Sequence, residues 1–509
     1  MRKRLKTHAT LAAAVVLAGL PWAGLLPSSA EGQERVPASM TLAEALEIAL
    51  RNNPRLQSAR NDISVANWAL TSAYGAWLPS ASAGSSVSWQ GAGEQRFGSI
   101  TADQLGFQDQ PSFLFSSYDI GIGLTVNGRT LMAPGQAKRN RDAVHAQIRT
   151  AESTLRLGVT RAYLEVLRQI EGLTLAEQEL ARAELNLRLA RGRREVGSGN
   201  AIDVQQAEVG VGRAEIAVLQ SRTGVRNART RLLQQLGVDL NAEPALTTTF
   251  EVTEFVRTAD ELYETALGRN PDLQATRARE RSAVYGVRMA RSSYFPSLSV
   301  STGFSGFTRK ASSTAGQEAA AIAAGEAAIA QCEFLNNLLR QLPDPPPLDD
   351  CARLATPESA IEAIREQNKA FPFDFTTTPP SARLSISIPV FQGLGRQREV
   401  ESARAALQDT RFQIREQELA LRADIESRLA VVRTAYETAL IEERNQTLAD
   451  EQLRLARERY RLNLLDFIGL VEAETVKAQA DRQRIFSIFT YHDAIADLES
   501  VVGTPLRNP

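Results

Sequence analysis

The chain carries only two cysteines and three histidines in 509 residues. Ligands this sparse exclude a cysteine-and-histidine zinc framework. The two histidines beyond position 30, His145 and His492, have no ligand spacing around them and read as helix-surface residues. No metal and no cofactor are expected. The net charge is −1, and no basic patch interleaves with aromatics, so nucleic acid is not an expected partner. Past the first thirty positions no run of 18 apolar residues occurs, which excludes a spanning helix. The nearest approach, "AAAIAAGEAAIAQ", is interrupted by Glu326. A membrane location would therefore have to be reached with strands. Catalytic signals are missing too. Gly-x-Gly occurs in "IGIGL", "VGVGR" and "GLGR", without a phosphate-loop lysine or a full dinucleotide fingerprint. With no Ser-His-Asp grouping either, the chain does not read as an enzyme.

What is present begins with "MRKRLKTHAT", four positive charges and no acid, followed by the apolar "LAAAVVLAGLPWAGLL" and the small residues Ser28, Ser29 and Ala30. Residues 1–30 read as a secretory signal peptide. Export makes a disulfide between Cys332 and Cys351 a reasonable expectation, with two free thiols as the alternative.

The rest is written twice. "TLAEALEIALRNNPRLQSAR" at 41–60 returns as "TADELYETALGRNPDLQATR" at 258–277, and Pro54 and Pro79 recur 217 positions later as Pro271 and Pro296. Farther along, the spacing becomes 266, as for Gly237 and Gly503, so one insertion of 49 residues separates the copies. It falls in the segment around 308–380 that holds both cysteines, and reads as a long loop. The expected organisation is a first repeat at 31–240, a linker at 241–257 and a second repeat at 258–509. Each opens with a helix capped by Thr41 or Thr258, with Glu44 or Glu261 three residues on, and ends near "WLPS" or "YFPS". Two strands and a long helical hairpin follow. In the first hairpin Val144, Ile148, Ala151, Leu155, Val159, Ala162, Val166, Ile170 and Leu173 step at an average near 3.6, predicting a helix packed against other long helices; Leu407–Tyr460 repeats the design.

The strands alternate sharply. "YDIGIGLTVNG" places Tyr118, Ile120, Ile122, Leu124 and Val126 on one face, and "ARLSISIPVFQG" at 382–393 does the same with Leu384, Ile386, Ile388 and Val390. Serines and glycines occupy the other face. Four such strands resemble barrel staves but cannot close a barrel, and an open edge is not tolerated in lipid, so several chains must pool them. The alternative is a small soluble sandwich with uncovered edges.

The doubled order, the "NP" in the opening helix, the strand ending in "IPVFQG" and the long hairpins together resemble the TolC-like outer-membrane efflux proteins. That resemblance implies a mainly α fold with a membrane β-barrel. Three protomers would share a twelve-stranded barrel in outer-membrane lipid, continued by an α-helical barrel in the periplasm. It implies a homotrimer acting as the exit duct of a tripartite efflux or type I secretion system. The duct would couple through a periplasmic adaptor to an inner-membrane pump of the RND or ABC kind. A periplasmic adaptor or a structural coiled-coil envelope protein are the rival readings; two full repeats and twice-interrupting strands argue against both.

The hairpin tips align closely. "ARGRREVGSGNAIDVQQAE" at 190–208 lies over "ARERYRLNLLDFIGLVEAE" at 456–474, matching Gly197 with Asn463 and Asn200 with Asp466. Gly and Asn suit the φ > 0 position that ends a helix, and Asn and Asp suit the N-cap of the next one. A plain helical turn explains all four, and the resemblance adds adaptor docking. It also implies a periplasmic gate at these tips, with Asp203 linked to Tyr460 and Glu472 in an acidic ring. Leu465 stands where a locking arginine would sit, Ile202 at that arginine's partner position and Gly469 where a second ring acid would be.

Overall fold

The computed structural model describes residues 37–93, 96–97, 100–101, 111–342, 346–462 and 464–506. The expected signal peptide and Asn463 lie outside them. Among these residues no helix is long and apolar enough to cross a membrane. The first repeat runs β1 (Ser39–Met40), α1 (Leu42–Asn52), α2 (Pro54–Gly75), β2 (Ser80–Gln90), β3 (Phe113–Val126), α3 (Gly128–Glu195) and α4 (Ala201–Leu236). After β4 (Ala245–Leu246) come α5 (Ala259–Arg269), α6 (Pro271–Ser292), β5 (Ser297–Ala311), α7 (Ala315–Leu339), α8 (Glu358–Asn368), β6 (Thr376–Thr377), β7 (Ser381–Ser387), α9 (Gly395–Arg461) and α10 (Phe467–Val502). At 68 and 67 residues, α3 and α9 are each on the order of 100 Å long.

The chain divides into two compact units. One takes the chain through Ala59, Thr150–Asn270 and everything from Leu421; the other takes Arg60–Arg149 and Pro271–Ala420.

The first unit is helical and is organised by one joint used twice. Thr41 and Thr258 each form a complete capping box with Glu44 and Glu261. The opening helices do not run on to "WLPS" and "YFPS" as expected, but break after Asn52 and Arg269. Proline tolerates a first helical position because its missing N–H is an orphan there anyway, so Pro54 and Pro271 restart the helix. Asn53 Oδ1 accepts from the backbone N–H of Arg55 (3.0 Å) and Leu56 (3.2 Å), while its Nδ2 donates to the Gln235 carbonyl (2.8 Å). Asn270 Nδ2 donates likewise to Val501 O (2.8 Å). These carbonyls belong to the last turns of α4 and α10, which end at Gly237 (φ 74°) and Gly503 (φ 79°) in the left-handed region. A Cβ on either glycine would run into the backbone of Asn52–Asn53 or Arg269–Asn270. The break therefore lets the start of each repeat cap its own end. A parallel β1–β4 pair and the buried Tyr163, whose hydroxyl donates to Met40 O (2.9 Å), complete this layer. His492 is a correction: it is buried on α10, its ring 4.9 Å from Phe250 and 5.1 Å from Tyr491, because α10 is covered on most sides near its end.

The second unit holds an antiparallel sheet in the order β2–β3–β5, with β7 and the two-residue β6 both on β5. Opposed residues share a face, so the register sorts the side chains. Ile122, Ile120 and Tyr118 lie beside Ala81, Ala83 and Ser85, while Val300 and Leu298 lie between Leu124 and Val126 on one side and Leu384 and Ile386 on the other. The opposite face is mostly serine and glycine, cross-linked by Ser86–Ser117 (2.8 Å) and Thr125–Ser299 (3.2 Å). The last strand is shorter than expected. Its pairing stops at Ser387, opposite Ser297 at the start of β5, and Pro389 just beyond has no N–H to donate. Arg396 takes up the carbonyls left over, donating to Pro389 O (2.9 Å) and Val390 O (3.0 Å). Below the sheet, Ala143 and Ala146 of α3 meet Ala275 and Ala278 of α6, a small-residue contact that brings the helices close.

The segment read as a loop is instead a helical insertion. Cys332 and Cys351 form a disulfide with Cα atoms 5.6 Å apart. Gly325 lets Thr356 approach α7, and Asn368 pairs both backbone groups of Ala311 (2.6 and 3.0 Å). Arg365 grips Glu318 with two bonds (3.0 and 2.8 Å).

Two outcomes are expected. Gly503→Ala forces a side chain into both a left-handed backbone and the joint, and should lower the stability of the first unit by about 1–3 kcal/mol, read as a drop in Tm in detergent. Gly286→Ala, in open space on α6, should leave Tm unchanged or raised. The hydrogen bonds from Arg365 and Thr314 hold the Glu318 carboxyl down at about 2, so their stabilisation of the insertion is complete above the ordinary carboxylate range and is lost as pH falls through about 2. Cleavage of the insertion by an acid protease, normalised to an unstructured peptide, should rise between pH 4.5 and 2; in Glu318→Gln it should start high and stay flat.

Candidate functional site

The tips of the two hairpins lie together in the first unit. Helix α3 ends in a Schellman turn: the Ser198 N–H reaches Arg193 O (2.9 Å), the Gly197 N–H reaches Arg194 O (3.1 Å), and Gly197 sits at φ 72°. Asn200 then caps α4 by accepting from Ile202 N (3.0 Å). In the second hairpin the Leu464 N–H reaches Arg459 O (2.9 Å), the same long closing bond, and Asp466 accepts from Gly469 N (2.8 Å). Asp466 Oδ1 and Leu465 crowd Gly469, so a larger residue there would have to displace them.

Nine buried residues knit the tips. Ala190, Val204 and Ala207 come from the first hairpin, and Tyr460, Phe467 and Leu470 are among those from the second. Tyr460 is the centrepiece, with Phe467 at 6.2 Å and the Arg193 guanidinium 3.8 Å above its ring. Arg193 also donates to the Tyr460 carbonyl. A cation over a ring that is shielded from water is worth about 2 kcal/mol. Among the described residues no hydrogen bond joins Asp203 to Tyr460. Asp203 is half-buried in the first turn of α4. Glu472 is exposed on α10.

Above the tips a polar ladder, which sequence reading missed, crosses between the hairpins. Asn186 donates to Glu474, which also meets Arg457 (3.5 Å). The buried Lys477 bonds Asp481 and reaches Asp450 (3.2 Å), while Gln446 donates to Asp481 (2.9 Å). Lys and Asp four apart on a helix look like a solvated pair, and only tertiary packing shows otherwise. Beside the ladder lies a cleft of about 760 Å³, lined by Arg182, Asn186, Gln206, Phe467 and Glu474 among others.

Two further stripes stay on the chain's surface. Ile202, Val209 and Ile216 on α4, and Ile441, Leu448 and Leu455 on α9 with Leu462 just beyond its end, recur every seven residues and are 46–69% exposed. Residues seven apart lie on one side of a helix, so each stripe presents a single apolar position at every second turn.

The outer membrane efflux protein family model matches residues 45–238 and 262–331, covering parts of both repeats. The chain belongs to that family. The chain is 26% identical over 273 residues to the pyoverdine export outer membrane protein OpmQ of Pseudomonas putida, covering 52% of this chain and 57% of the relative. It is 25% identical over 288 residues to the outer membrane efflux protein BepC of Brucella suis, covering 57% and 58%. The chain thus spans somewhat over half the length of these curated relatives. In structure it is similar to the open state of the MtrE outer membrane channel of Neisseria gonorrhoeae. That match has a TM-score of 0.63 at 17% identity and covers 94% of this chain and 95% of the other. The fold is the mainly helical TolC-like one, and the protein's place is the outer membrane.

The ladder yields a double-mutant test. Lys477→Ala leaves Asp481 buried without its main partner and should cost the efflux protein about 3–5 kcal/mol of stability. Lys477→Met combined with Asp481→Leu should recover most of that loss. Thermal unfolding in detergent reads both.

Proposed function

We propose that this chain is the outer-membrane exit duct of a tripartite efflux or type I secretion system, a passive conduit from periplasm to exterior. The observation that carries the reading is the sheet, with its four longer strands β2, β3, β5 and β7. It exposes an aliphatic face and leaves β2 and β7 each paired on one side only. Each backbone group left unpaired in hydrocarbon costs several kcal/mol, so such a sheet is stable in lipid only when its edges are closed. Three copies supply twelve strands and close it. The seven-residue stripes on α4 and α9 support the same assembly, since each offers a neighbouring copy's helix an apolar contact at every second turn.

The tips are the periplasmic end of the duct. Gly197, Asn200 and Asp466 shape the two turns that an adaptor meets, Asn463 joins that docking set on its sequence position alone, and the adaptor links the tips to an inner-membrane pump of the RND or ABC kind. Asp203, Tyr460 and Glu472 belong to the gate, with the Arg193–Tyr460 contact as its fixed half. With Leu465 in place of a locking arginine, the gate is weakly held. Energy and choice of cargo come from the pump.

The protein should need detergent for extraction, run as a trimer, and form discrete channels in planar bilayers. Asp203→Ala should raise the unitary conductance. A detergent-free monomer would overturn the duct, and an unchanged current in Asp203→Ala would remove that residue from the gate.

A further inference from the structure

The polar face of the sheet carries little charge, and the register says where that charge lies. Opposed residues fall on one face, and the row through Ser80, Gly123 and Ser301 ends on Arg383 of β7. Four residues along β5, Ser305 lies opposite Asp119, which in turn faces Gly84. Four further on is Arg309 itself, opposite Phe115. At about 3.3 Å per residue the three levels are roughly 13 Å apart. The order along the wall is thus arginine, aspartate, arginine. The remaining described residues of this face in β2, β3, β5 and β7 are neutral, for the most part serine and glycine.

Local structure keeps these groups on the surface of the wall. A Cβ at Gly84 would overlap the Asp119 carboxylate at 2.6 Å, so glycine there gives the acid its room. The Arg309 guanidinium lies over the Phe113 ring at 5.5 Å. Asp119, Arg309 and Arg383 are all exposed and form no ion pair with a described residue. Charges in this condition act on whatever passes them. A ring of like charges in a narrow, low-dielectric wall concentrates counter-ions and sets the sign of the permeant solute.

We infer that the strand-lined part of the duct carries a net positive field, set by Arg383 and Arg309 against Asp119, and that it passes anionic solutes in preference to cationic ones. This rests on the duct reading, which turns the serine face toward the lumen and repeats the three charges around it.

The test is the reversal potential of single channels in planar bilayers under a potassium chloride gradient. Arg383→Gln and Arg309→Gln should each lower the chloride-to-potassium permeability ratio by at least about two-fold, and Asp119→Asn should raise it. The differences should shrink at 1 M salt, where screening reaches only about 3 Å. Ratios that stay unmoved in all three variants, or that move in the same direction for the arginines and the aspartate, would overturn the inference while leaving the duct intact. Absence of any unitary current from the unaltered protein would take down the duct reading, and this one with it.

Discussion

Backbone hydrogen bonding at the edges of one sheet governs the rest of this molecule. Every peptide N–H and C=O placed in hydrocarbon needs a partner, and among the described residues β2 and β7 each have a strand on one side only. In the proposed duct the aliphatic face makes the lipid location favourable, and the edges make it conditional on closure by other copies. Other features serve that condition. The exposed seven-residue stripes line the chain for assembly, and Arg396 secures the carbonyls where the last strand stops being paired.

The second organising element is the doubled joint. One asparagine and one glycine per repeat let the opening helix break, turn and cap the repeat's own last helix. The same pair of contacts recurs at equivalent positions in the two copies. What the two copies share is thus a way of fixing helix ends. The strand segment is free to diverge around it, as the disulfide-bonded insertion in the second copy shows.

Much of this was legible because it depends on local rules. The alternation of Leu384 and Ile386 with serines, the paired capping boxes and the turn residues Gly197, Asn200 and Asp466 are all short-range patterns with one physical meaning each. Other features were hidden because their meaning is tertiary. The break at Asn53 looked like an ordinary helical proline, since nothing nearby in sequence shows that Gln235 waits to be capped. Lys477 and Asp481 looked solvated because burial by another element leaves no mark on its neighbours in the chain, while the alanine-rich α7, exposed along most of its length, has none of the one-sided apolar spacing that marks a packed helix. At the tip, Arg193 was one basic residue among several, and its seat on Tyr460 needs both hairpins at once.

An oxidative cross-linking scan between the two sheet edges tests closure by neighbouring copies most directly. Within one chain β2 and β7 are separated by two strands, roughly 14 Å across the sheet, beyond the reach of a disulfide. Cysteine at Ser385 combined in turn with cysteine at Ser80, Ser82, Ser86 or Ser88 should give, for at least one pair, covalent dimers and trimers on a denaturing gel. Monomers alone for every pair, from protein extracted out of the outer membrane, would contradict the shared barrel.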